Sequence, residues 1–213
     1  GVPFPRAKCS VYDPGLEITF LMRWPNGPWA QTRSCDALLN NADFLPTVCD
    51  MLDLPTPDAA QGSSFLPALV GGAGPHDGDA IFGEMTYHDY PDPRRCIRTD
   101  THKLIANFAN APFFMDPSQG WRRKMVTRHP PDPPYAYHVP LELYDLEADP
   151  LEFENLVDSP DHAELLADLG RRLHDWMVRT EDPLLEGIPT PPIHARTLHA
   201  LREGVVPPPK EKR

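Results

Sequence analysis

The chain contains no run of about 18 apolar residues, so no segment is long enough to cross a membrane as a helix. Cysteine is sparse. Cys9, Cys35, Cys49 and Cys96 are scattered and form no CxxC pair, which disfavours a zinc site or a disulfide scaffold and favours reduced, structural thiols. Positive charge is in deficit: 20 Lys and Arg stand against 31 Asp and Glu, a formal net charge of −11. Such a balance argues against a nucleic-acid or anionic-membrane surface. It leaves room for a small anionic substrate, because a local field can oppose the net charge. There is no initiator Met, and residue 1 already lies inside a motif. The chain reads as one cut from something longer, and the lack of a visible signal peptide leaves the compartment open.

Proline is in excess, 28 of 213 residues, in a chain sized for one or two domains with a real core. Most prolines punctuate turns, as in Asp13-Pro14-Gly15, Pro25-Asn26-Gly27-Pro28, Asp149-Pro150 and Asp182-Pro183, since Pro fixes φ and Gly accepts φ > 0. His129-Pro-Pro-Asp-Pro-Pro134 reads as polyproline II, either a recognition ligand or, with more weight, a surface loop.

Three pieces follow from the pattern. Residues 1–75 open with GVPFPRAKCSVYDPG, a loop ruled by Pro and Gly that delivers Arg6 and Lys8 to an apolar strand over 17–24. A helix over 44–54 comes next, with Asp43 as N-cap and Phe44, Leu45, Val48, Met51 and Leu52 as one buried stripe. Gly71-Gly72-Ala73-Gly74-Pro75 marks a boundary. Residues 76–187 read as an α+β unit, with strands over 80–87, 95–99, 103–108 and 141–146 and a hairpin turn at Asp100-Thr101-His102. Ser159-Pro160 then opens a helix ending near Thr180, with His162, Leu165, Leu166, Leu169, Leu173, Trp176 and Met177 as its stripe. The charges between Arg95 and Lys103 read as an exposed strand face. Residues 109–138 form a long insertion carrying Phe113, Phe114, Trp121 and Arg122-Arg123-Lys124, a solvated run or the border of an anionic path. Residues 188–213 read as a frayed, Pro-rich tail.

Several of these stretches, taken in order, bring a family into view. Gly-x-Pro-Phe-Pro-Arg-Ala-Lys8 with Tyr12-Asp-Pro-Gly15 resembles the sulfatase segment that follows the last metal-binding residues. Asn41-Ala-Asp-Phe-Leu-Pro-Thr47, Gln61-Gly-Ser-Ser-Phe-Leu-Pro67, Glu84-Met-Thr-Tyr-His88, Arg94-Arg95-Cys-Ile-Arg98, Glu142-Leu-Tyr-Asp-Leu146 and Trp176…Asp182-Pro183 are similar in order and spacing. The chain is identified as a member of the sulfatase family over residues 1–187, closest in pattern to the N-sulfoglucosamine sulfohydrolase branch, which cleaves sulfamates.

The resemblance implies an α/β fold. It would be the end of an alkaline-phosphatase-like sulfatase domain (residues 1–75), followed by a small antiparallel sheet packed with a long helix (76–187) and a tail. It implies hydrolysis of sulfate esters or sulfamates by a formylglycine, made from a C/S-x-P-x-R motif, beside a Ca²⁺ ion. It also implies that Lys8 contacts the sulfate, and that Tyr87, His88 and Asp89 contact the sugar or leaving group.

The chain departs from the pattern where the nucleophile should be. No C/S-x-P-x-R occurs, Ser118-Gln-Gly-Trp-Arg122 being the nearest miss, and the family's metal carboxylates would precede Gly1. The chain itself thus supplies no metal ligands and no cofactor. Ca²⁺ and formylglycine are expected of a complete protein, with a missing N-terminal sulfatase half as partner. The alternative is a non-catalytic or degenerate sulfatase-like binding module.

Overall fold

A computed structural model describes residues 7–25, 27–29, 34–76, 78–87, 91–109, 138–188, 190 and 192–204. The first described element is a single helical turn, α1 (Asp13–Leu16), with Pro14 where a missing N–H costs little. The strand expected over 17–24 is not formed. These residues run irregularly, with Ile18 and Phe20 exposed and Leu21 90% exposed. Apolar sequence gives β propensity, but a strand needs a neighbour to take its N–H and C=O groups. Among the described residues none lies alongside.

A 3-10 turn (Asn41–Asp43) leads into α2 (Phe44–Met51). The cap is Asn40 rather than Asp43. The Asn40 side chain accepts from the Ala42 N–H at 2.9 Å, and the Asp43 carboxylate accepts from the Asn40 N–H at 2.7 Å, a reciprocal capping box. The stripe expected to be buried is buried only in part, Val48 and Met51 being half-buried. Phe44, Leu45 and Leu52 are exposed, while Pro46, Thr47 and Cys49 are buried. Polar anchoring sets this rotation: Thr47 Oγ1 donates to the Asp43 carbonyl at 2.7 Å and accepts from the Phe65 N–H at 2.9 Å, beside the short α3 (Leu66–Leu69).

Four strands follow: β1 (Ile81–Tyr87), β2 (Pro91–Arg98), β3 (His102–Asn107) and β4 (Leu141–Asp145), an antiparallel sheet in the order β1-β2-β3-β4. The expected hairpin at 100–102 joins β2 to β3, with Arg98 opposite Lys103. Ser159 and a 3-10 turn (Pro160–His162) then open α4 (Ala163–Arg179), which ends at Thr180 as the pattern predicts. The Ser159 hydroxyl engages His162 Nδ1 at 2.9 Å instead of capping the backbone. The tail is not all frayed, because α5 (Pro192–Glu203) is helical. Pro192 suits a first helical position, and residues 193–203 hold no Gly or further Pro to break the run.

Register divides the sheet into two faces, since residues directly opposite share a side. Phe82, Ile97, Leu104 and Leu143 stand in one row and pack against Leu169, Leu173 and Met177 of α4. Phe82 stacks flat on Trp176, ring centroids 4.9 Å apart. The other row, Gly83, Cys96, Ile105 and Glu142, is covered by Val11, Tyr12 and Leu16. Gly83 has a packing reason to be glycine, because a Cβ there would meet Cys96 Sγ at 2.9 Å and Leu16 Cδ1 at 3.2 Å. The sheet is therefore a middle layer, with α4 on one side and residues 7–16 on the other.

Cover on both faces overturns the expectation of an exposed, charge-bearing hairpin face. Arg94, Arg95 and Lys103 are buried, each beside a carboxylate. Arg95 forks onto both oxygens of Asp182 just beyond α4. Arg94 pairs with Asp92. The insertion's Phe113, Phe114, Trp121, Arg122-Arg123-Lys124 and proline run lie outside the described residues.

Truncating Leu169→Ala at the centre of the α4 face should cost about 2–5 kcal/mol, read as a lowered denaturant midpoint. An unchanged midpoint would mean that α4 does not lie on the sheet. Asp182→Asn should also destabilise, since it leaves buried Arg95 with the exposed Glu84 carboxylate, 3.5 Å away, in place of the buried fork.

Candidate functional site

Lys8 sits on a tight turn that opens the layer over the sheet. The turn is fixed from below: Ala7 and Val11 are fully buried, and Ser10 Oγ donates to the Ala7 carbonyl at 2.7 Å. Cys9 takes φ +68°, a left-handed conformation unusual for a residue with a Cβ. Gly15 comes so close beneath that a Cβ would lie 2.4 Å from the Ala7 carbonyl oxygen. Asp13-Pro14-Gly15 is thus the seat of the Lys8 turn. Lys8 itself is exposed.

Behind the turn lies a polar network that sequence reasoning missed. Lys103 is 0% exposed, yet its Nζ lies 2.7 Å from Asp13 Oδ1 and 3.1 Å from Glu152 Oε1, the latter at ion-pair range but poorly aligned for a hydrogen bond. Arg98 Nε reaches Asp13 Oδ2 at 3.2 Å, and the Asp13 N–H donates to Glu152 Oε2 at 2.6 Å. Tyr12 and Tyr144 both donate their hydroxyls to Glu142 Oε2 at 2.6 Å. Asn107 Nδ2 donates to Glu142 Oε1 at 2.8 Å, and His138 Nδ1 lies 3.0 Å from the same oxygen. One signal was available. Period-2 reading places Arg98 and Lys103 on the face that also carries Cys96 and Ile105, a mixed face rather than a solvated one.

Burial and partners pull these groups apart. Burial alone would raise Glu142, but hydrogen bonds from His138, Tyr12 and Tyr144 outweigh it and hold the carboxyl at about 2. Asp13 is lowered: burial opposes this, and Lys103 and Arg98 overcome it. Glu152 is raised, because burial exceeds the pull of Lys103. Burial likewise pushes the Cys96 thiol up to about 11.

A second anchor joins two of the family-like stretches. Buried Asp43 accepts from the Asn40 and Ser63 N–H groups, and its Oδ2 lies 2.8 Å from His76 Nε2. These contacts tie 41–47 to 61–67.

Of the residues expected at the site, Lys8 is exposed on its turn and Tyr87 is 66% exposed at the end of β1, where the register slips after Met85. His88 and Asp89 lie outside the described residues. Among the described residues no group of three or more His, Cys, Asp or Glu converges in a way that could hold a metal ion. The residues described here therefore do not fit a calcium site, and the sequence holds no formylglycine motif. An open groove of about 1900 Å³ runs between residues of 16–25, 27, 29 and 34–41 and the β1 side of the sheet, its lining including Phe20, Phe44, Phe65 and Phe82.

Comparison with known proteins gives the family. The family described as N-sulphoglucosamine sulphohydrolase, C-terminal, matches residues 6–115. The N-sulphoglucosamine sulphohydrolase of Homo sapiens is 29% identical over 86% of this chain and 41% of its own length. An ulvan-active sulfatase of Formosa agariphila is 29% identical over 85% of this chain and 38% of its own. A putative sulfatase from Bacteroides thetaiotaomicron VPI-5482 superposes on 70% of this chain and 27% of its own at a TM-score of 0.49 and 23% identity. The class is that of the sulfatases, and the chain belongs to the N-sulphoglucosamine sulphohydrolase C-terminal family. It spans about two fifths of the length of the two curated relatives.

The Glu142 carboxyl gives a signed pH dependence. Its folded value, about 2, lies below its ordinary 4.5. The stability it contributes is therefore present above about pH 4.5 and is lost as pH falls toward 2, on the order of 3 kcal/mol at full extent. Glu142→Gln should flatten the acid limb of a urea-midpoint profile across that window. Parallel limbs for parent and variant would show that the network does not hold the carboxylate ionised.

Proposed function

We propose that this chain is the substrate-facing part of a sulfatase that hydrolyses sulfate esters or sulfamates of sulfated sugars. In this reading Lys8 contacts the sulfate, and Tyr87, His88 and Asp89 meet the sugar or leaving group. The supporting observation is the presentation of Lys8 within a chain of this family. Its side chain is exposed while the residues flanking its turn are buried, so the ammonium is offered outward from a rigid base. A compact cation suits a tetrahedral oxyanion. Charge on the sulfate oxygens shifts as the S–O or S–N bond breaks, and a fixed cation stabilises that state without having to reorganise. The matched proteins named for N-sulphoglucosamine and for ulvan point the substrate class toward sulfated sugars.

Residues that become formylglycine or hold a divalent ion would belong to sequence other than these 213 residues. The apolar groove supports that arrangement. Ile18, Phe20, Leu21, Phe44, Leu45, Leu52 and Leu54 are all exposed within one third of the chain, more than a monomeric surface ordinarily leaves to water. The reading seats the nucleophile-bearing sulfatase half on them. A non-catalytic module is the second reading, favoured by the absence of C/S-x-P-x-R.

The 213-residue chain alone should release no sulfate from an ester and should bind a hydrophobic dye; turnover by the purified chain would overturn the division of labour. In a protein joining this chain to a nucleophile and metal site, Lys8→Ala should lower kcat/KM by on the order of 10²–10³. The loss should be alike on two substrates that share the sulfate but differ in leaving group. His88→Ala should discriminate between the two. A Lys8→Ala that is silent on both substrates would overturn the role given to Lys8 and leave the family assignment standing.

A further inference from the structure

We infer that Lys103, with Asp13 and Glu152, is the positioning group that sets where Lys8 is presented. The inference rests on the reading of Lys8 as the sulfate-contacting cation. It concerns how that cation is held and not what it touches.

The path is short and continuous. The buried Lys103 ammonium holds Asp13 Oδ1 at 2.7 Å, and Arg98 holds the other oxygen at 3.2 Å. Glu152 Oε2 accepts from the Asp13 backbone N–H at 2.6 Å, so side chain and main chain of the same residue are both fixed. Glu152 reaches that N–H from a left-handed backbone, φ +58°, and is itself fully buried. Two residues on, Gly15 lies against the carbonyls of Ala7 and Ser10, the two ends of the turn that carries Lys8. Tyr12 adds a second tether, its hydroxyl 2.6 Å from Glu142.

An apolar cover would tolerate sliding, because dispersion and burial have little direction. An ion pair and a backbone hydrogen bond to one residue do not. A slip of one residue would remove Asp13 from Lys103, Arg98 and Glu152 together and carry Lys8 along by up to about 3.3–3.6 Å. Displacements of about 1 Å already cost enzymes heavily in rate. Lys103 touches no substrate in this account. It acts through Asp13 and the turn.

The test combines a readout on the chain itself with a readout on activity. In the 213-residue chain, Lys103→Met should raise the rate of tryptic cleavage after Lys8 and of Cys9 alkylation, mapped by mass, by tenfold or more. It should do so at temperatures where the α4–sheet core remains folded by circular dichroism. Lys103→Arg should restore most of the protection. Asp13→Asn, which keeps the shape and removes the charge, serves as the second variant should Lys103→Met fail to fold, and should shift both rates the same way. In the active protein, Lys103→Met should lower kcat/KM at least tenfold in the parent and leave it nearly unchanged when Lys8 is already Ala, although it lowers the melting temperature on both backgrounds. Equal losses on the two backgrounds would mean a general structural role and overturn the proposal. So would unchanged cleavage and alkylation at residues 8 and 9 in both charge-removing variants. If Lys8→Ala is silent while Lys103→Met still loosens the turn, the positioning stands and the role given to Lys8 falls.

Discussion

A fully buried ammonium has few stable choices, and Lys103 shows what satisfying one demands. Leaving it unpaired would cost several kcal/mol, so carboxylates must come to it. One comes from 90 residues upstream and the other from the loop after β4. The chain before the sheet is thereby obliged to fold back across it, and the antiparallel meander becomes a middle layer. The half-burial of Arg98, the close approach at Gly83 and the outward presentation of Lys8 all follow from that return.

The two faces of the sheet solve the same problem by different means. Against α4 the contact is apolar and closed at its edge by the Arg95–Asp182 fork. Against residues 7–16 it is half apolar and half ionic, with Cys96 and Ile105 beside Lys103 and Arg98. The first arrangement supplies stability at low risk. The second is costly to desolvate and strict in geometry.

Legibility in the sequence followed the same division. The four strands, the hairpin at 100–102 and the capped helix ending at Thr180 could all be read, because each is set by a local period and by local turn chemistry. Residues 17–24 and the outer stripe of α2 could not. Their apolar side chains imply a partner; Phe20 meets Phe44 and Phe65 edge-on, but among the described residues no strand pairs with 17–24, so β propensity had nothing to act on. The charges of β2 and β3 were misread for the opposite reason. Alternating charge ordinarily marks a wet face, and only contacts across 85 to 139 residues dry this one. Lys8 was singled out by its motif, and its role is a proposal. The residues that hold its turn were not, since each is an ordinary acid or base until the fold brings them together.

The same separations carry a kinetic consequence. β1–β2 and β2–β3 close short loops, β3–β4 closes across 108–140, and α4 follows β4 after fewer than twenty residues. Tyr12–Glu142 and Asp13–Glu152 instead close loops of 130 and 139 residues, whose closure entropy must be met before the contact returns anything. The meander and its helix should form first, as the folding nucleus, with residues 7–16 docking after the rate-limiting step. Substitutions at Tyr12 or Asp13 should then accelerate unfolding with little effect on refolding, whereas Leu169 should act on both limbs. Nascent molecules would pass through a state in which the sheet is built and its ionic face is still wet.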